Sequence, residues 1–117
     1  MIYLIHLDAF LVIYDDLAKY NSLKAELYPK AADAYYTKGK SDFLSKNMTE
    51  AKTDLETALK YASNENFVDD IYYYLGQIAE GEKDTASAKK YYNKIISDYP
   101  NSNQIGNARN ALEGLKE

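Results

Sequence analysis

The chain has 117 residues, 46% of them apolar and 27% charged, the profile of one folded domain and not of a disordered segment. It has no cysteine and one histidine, His6, which excludes disulfides, thiolate metal sites, cysteine nucleophiles and multi-histidine metal centres. Fourteen basic residues against eighteen acidic ones give a net charge of −4, and Arg109 is the one arginine, so neither a nucleic-acid footprint nor a bidentate phosphate clamp is expected.

In chain order, the first element is an apolar run from Met1 to Tyr14. It lacks a basic residue ahead of the run and a small-residue cleavage site, so it does not read as a signal peptide. Asp8 and Asp15-Asp16 interrupt it well short of the roughly 20 residues that a membrane-spanning helix needs. The expectation is a soluble chain whose compartment is left open, cytoplasmic by default and bacterial envelope if the chain is a fragment, with one long N-terminal helix in 1–29, ending near Tyr28-Pro29, where proline removes a backbone donor. Ile2, Leu4, Ile5, Leu7 and Leu11 form an unguarded apolar surface on it, a candidate self-association face.

Beyond Pro29 the sequence repeats itself at an offset of 37 residues: Asp33 falls on Asp70, Tyr35-Tyr36 on Tyr72-Tyr73, Gly39 on Gly76, Lys46 on Lys83 and Ala51-Lys52 on Ala88-Lys89. Within each unit the apolar spacing is helical. Ala31, Ala32, Tyr35, Tyr36, Phe43 and Leu44 mark one helix, and Ala51, Leu55, Ala58, Leu59 and Ala62 the next, capped by Asn47 or Thr49. Ile71, Tyr72, Leu75, Ile78 and Ala79 mark a third helix that Gly81 ends; Ala88, Tyr91, Tyr92, Ile95 and Ile96 mark a fourth that stops before Pro100. Each unit is therefore a helix–turn–helix hairpin. A final helix in 101–117 carries Ile105, Ala108, Ala111, Leu112 and Leu115 on one side and polar residues on the other, as a terminal cap would.

The second unit resembles a tetratricopeptide repeat in Tyr72, Leu75-Gly76, Ala88, Tyr92 and Pro100. The first unit matches more loosely through Tyr35, Gly39, Ala51, Leu55 and Ala58, with Lys38 where the family has leucine and three residues beyond its usual period, assigned to the connection 63–68. The resemblance implies an all-α, right-handed α-solenoid of antiparallel helix pairs with about six helices. It divides the chain, read as a single domain 1–117, into repeat 1 at 30–63 and repeat 2 at 67–100 between the flanking helices. Gly39, Gly76, Ala51 and Ala88 are expected where two helices approach closely, and Tyr35 and Tyr72 in the gap between hairpins. The step Tyr99-Pro100-Asn101-Ser102 is similar to repeats common in bacterial envelope assembly proteins of this superfamily.

Little points to chemistry. Asp15-Asp16 and Asp69-Asp70 are neighbours that diverge by about 100° on a helix, so they read as helix-terminal or solvated charge and not as a catalytic pair. His6 has no local partner, and no glycine-rich phosphate loop follows a strand. No enzymatic activity, cofactor or metal is expected. The resemblance implies instead a concave groove lined by the first helices, where Tyr36, Lys40, Phe43, Tyr73, Gln77 and Asn107 would hold a protein or peptide segment. The asparagines and lysines that clamp a C-terminal carboxylate in chaperone-binding members are mostly missing, with Lys40 the one groove base. Two readings follow: an adaptor binding a partner in that groove, or a homodimerising module that pairs through its first helix.

Overall fold

A computed structural model describes residues 2–116, and side chains at position 9 and from 11 to 116. Among the described residues five helices follow one another: α1 (Ile2–Leu44), α2 (Met48–Tyr61), α3 (Val68–Gly81), α4 (Thr85–Asp98) and α5 (Ile105–Gly114). No strand occurs among the described residues. The chain is long and thin, 71 × 29 × 24 Å, because α1 alone runs about 65 Å at 1.5 Å per residue.

That length is the main departure from expectation. The helix predicted to stop near Tyr28-Pro29 runs through Pro29 and merges with the first helix of the first hairpin, leaving five helices in place of six. Proline inside a helix removes one hydrogen bond and costs about 3 kcal/mol. Contacts on both sides of it oppose the break. Tyr28, one residue before Pro29, packs edge-on against Tyr61 of α2 at 5.0 Å, and Tyr35, one and a half turns beyond it, stacks on the same ring at 6.0 Å. Ala32 and Gly39 continue that face and are buried.

The body is two stacked hairpins and a closing helix. α1 packs on α2, α3 on α4, and α5 on α4. Ala51, Leu55, Ala58, Ile71, Leu75 and Ile78 form one apolar cluster, joining the hairpins; Ala79, Ala88, Tyr92, Ile95 and Ala108 form the other, joining the second hairpin to α5. The starts of α2 and α4 lie 37 residues apart, as do those of α3 and α5, and both connections, 62–67 and 99–104, are six residues long. The three additional residues assigned to the first connection are thus no private insertion there; the 37-residue spacing belongs to both units.

The hairpin turns also repeat. Lys46 and Lys83, again 37 apart, both adopt left-handed backbone, with φ of 67° and 62°. In each, the following amide reaches back to the final helical turn, Asn47 N–H to the Asp42 carbonyl and Asp84 N–H to the Ala79 carbonyl, both at 2.8 Å. Gly81 is the last residue of α3 as expected, yet Lys83 makes the left-handed turn. Asn47 stands at the start of α2 without a side-chain cap bond, whereas the Asp84 carboxylate accepts from Ser87 N–H at 3.1 Å and caps α4.

Candidate interaction surface

The glycines do what their spacing implies. A methyl group on Gly76 would lie 2.5 Å from the Tyr92 ring, and one on Gly39 would lie 2.8 Å from the Leu55 side chain. The helices of each hairpin therefore touch through glycine, and Ala51 and Ala88 are completely buried beside these contacts.

The tyrosines are shared out differently from the expectation. The repeat phase places Tyr35 and Tyr72 between hairpins, but they pack within their own: Tyr35 on Tyr61, Tyr72 against Tyr91 and Tyr99. The inter-hairpin gap is filled by Tyr36 stacked on Phe67 (4.5 Å, 3° between planes) and Phe43 tilted against Tyr74 (4.8 Å). One residue along a helix is a rotation of about 100°, enough to move a ring from one neighbour to the next. Tyr36 and Phe43, two of the predicted groove residues, are thus half-buried mortar as well as surface.

The remaining predicted groove residues lie on α1, α3 and α5. Lys40 is exposed on the second half of α1. On α3, half-buried Tyr73 packs near Tyr92 at 6.0 Å and accepts a hydrogen bond at its Oη from Gln77 Nε2 (3.1 Å). On α5, exposed Asn107 donates from Nδ2 to Gln104 Oε1 (3.0 Å). Gln104 Nε2 in turn donates to Asp70 Oδ1 at 2.9 Å, tying α5 to the first turn of α3. Ser102 adds a hydroxyl bond to Asp69 and receives the Gln104 amide at 2.9 Å. Asp69 and Asp70 do sit in the first turn of a helix, but they also hold the two ends of an inter-repeat latch. Burial, together with the Asp70 carboxylate, pushes the Tyr36 phenol up to about 12, so it stays a neutral donor at any physiological pH.

The opposite side of the first hairpin is built for water. Where the second hairpin buries Ile71, Leu75 and Ile78 against its neighbour, the equivalent positions of the first, 37 residues earlier, hold Ala34, Lys38 and Ser41, all exposed. Lys38 Nζ binds Asp54 Oδ2 at 2.7 Å and Asp42 Oδ2 at 3.3 Å. The departure of Lys38 from the repeat pattern thus goes with an exposed face that carries an ion pair where the second hairpin carries apolar contacts.

The bond to Lys38 holds the Asp54 carboxyl below the usual carboxylate range, and the Ser87 cap does the same for Asp84. A depressed folded-state pKa contributes stability that is present above the unfolded value of about 4 and is lost as pH falls through the folded value. The unfolding temperature is therefore expected to drop on acidification below about pH 4, with a smaller drop in Lys38→Met, whose Asp54 has lost its partner. Thermal melts across that range check this; identical acid profiles for the two proteins would show that the pair contributes nothing.

Residues 70–102 match the family model of the tetratricopeptide repeat, covering α3, α4 and the turn that leads to α5. This segment is similar to a tetratricopeptide repeat both in sequence and in its helix pair. Such repeats are all-helical and generally mediate protein–protein contact as non-catalytic scaffolds, and the all-helical hairpins flanking the segment here fit that architecture. Comparison with curated proteins and with solved structures gives no match. Among the described residues, no helix is long and apolar enough to cross a membrane. Of the predicted self-association residues, Ile2, Leu4, Ile5 and Leu7 have side chains outside the described set; Leu11 is half exposed.

Proposed function

We propose that the chain is a non-catalytic adaptor that binds a segment of another protein across the face formed by the second half of α1, α3 and α5. The observation that carries this reading is the set of half-buried rings on α1 and α3 together with the pre-oriented amides on α3 and α5. Tyr36, Phe43 and Tyr73 offer rigid aromatic area at low entropic cost, and Lys40, Gln77 and Asn107 stand beside them with free donor capacity. Rings so placed suit an extended or helical segment with apolar side chains, and the amides suit its backbone or polar groups.

The test spares the rings that hold the hairpins together. Lys40→Ala, Gln77→Ala and Asn107→Ala are combined in one variant, and proteins retained from source lysate are compared with those retained by the unaltered chain. The expected result is loss of a specific retained protein with unchanged helicity. Equal retention by both would remove the groove reading.

A further inference from the structure

The part of α1 that precedes Tyr28 extends beyond α2 and leaves a large apolar surface open. Between Leu11 and Leu27, eight large apolar side chains are each 50–66% exposed. Six of them, Ile13, Tyr14, Leu17, Tyr20, Leu23 and Leu27, lie on or beside one side of the helix, whereas Leu11 and Val12 turn away from it, and the six present an area approaching the roughly 800 Å² that one partner contributes to a standard interface. They are also ordered. Ile13, Leu17, Tyr20, Lys24 and Leu27 follow one another at steps of four, three, four and three, the seam of a coiled coil, interrupted once by the lysine.

We propose that this seam pairs with the same segment of a second copy, and that the pairing is antiparallel. Charge order decides the direction. Asp15 and Asp16 precede Leu17, whereas Lys19 and Lys24 follow it, and all four are exposed. A parallel pair would set Lys24 against Lys24 within the seam and acid against acid before it. An antiparallel pair centred between Leu17 and Tyr20 sets Leu17 opposite Tyr20 of the second copy and Ile13 opposite the aliphatic stem of its Lys24. It also brings Asp16 within one turn of that ammonium. A single polar seam residue commonly specifies register and orientation in this way, at some cost in stability. The ring of Tyr28 already holds the Lys24 ammonium 5.1 Å from its centre, at the edge of the seam.

Sedimentation equilibrium on the full chain tests the proposal. The unaltered protein is expected to be dimeric. Leu17→Glu is expected to be monomeric with the thermal unfolding of the hairpin body unchanged, since Leu17 lies outside both apolar clusters. Lys24→Glu is expected to weaken the dimer on the order of tenfold, and Asp16→Lys added to it to restore the affinity. Restoration supports the antiparallel pair, because in a parallel one the second change leaves the two introduced carboxylates still facing each other across the seam. A monomer at the highest soluble concentration, or a dimer that Leu17→Glu leaves intact, would overturn the proposal and assign the face to a different partner.

Discussion

Gly76→Ala is expected to lower the stability of the folded chain by about 2 kcal/mol, although alanine is the better helix former by about 1 kcal/mol. Gly76 is buried in the middle of α3, and its missing side chain is the space occupied by the Tyr92 ring of α4. A methyl group there would lie 2.5 to 2.9 Å from three ring atoms. The ring has little room to move: Tyr92 is fully enclosed, its hydroxyl is bonded to Glu80, and the Tyr73 ring lies 6.0 Å away. The helices would have to separate, and the second apolar cluster would lose contact as they did. Urea unfolding reads the change directly. A Gly76→Ala protein more stable than the parent would mean that the ring yields easily and that the close approach is incidental.

Leu75→Lys should be more damaging still, costing at least about 4 kcal/mol and leaving the second hairpin largely unfolded. Leu75 is 1% exposed and lies among Leu55, Ala58 and Ile71, where the two hairpins meet. The same place in the first hairpin is held by Lys38, whose side chain is 61% exposed and bonded to Asp54. The counterpart of Asp54 in the second hairpin is Tyr91, so an ammonium at position 75 would find no carboxylate waiting. The reverse change, Lys38→Leu, puts an apolar group on a face already turned to water and is expected to cost far less. Loss of dispersed amide resonances in Leu75→Lys, with Lys38→Leu retaining them, is the pattern to look for. Two equally folded variants would mean that the hairpins do not occupy distinct positions in the stack.

The repeat itself was legible from residue identities because its signals are local. Glycine and alanine at close approaches, apolar spacing on each helix and Pro100 after α4 all act within one or two turns. What escaped local reading was decided across the fold. Proline reads as a break from its neighbours alone, and only the contacts of Tyr28 and Tyr35 with Tyr61, about thirty residues away, carry α1 through it. The Lys38–Asp54 bond spans sixteen positions and the Gln104–Asp70 bond thirty-four. Lys38 did leave a trace, as the one charged residue in a leucine position. Asp70 left none, since a carboxylate in the first turn of a helix is ordinary. Of the proposed surface, the helices contributing to it were readable, but the division of the tyrosines between mortar and display was not, because a rotation of one residue separates the two roles.

The uninterrupted passage of α1 through Pro29 also fixes a spacing. In the proposed antiparallel pair each hairpin body would begin about ten residues from the centre, so the two bodies would stand about 30 Å apart along the rod, at opposite ends. Each carries its own copy of the tyrosine face. A ligand with one recognition segment would engage either end alone, but one with two segments separated by a linker able to span that gap would engage both, and its second binding step would occur at a high effective concentration. The rod would then act as a ruler, selecting ligands by the distance between their segments as much as by the chemistry of each.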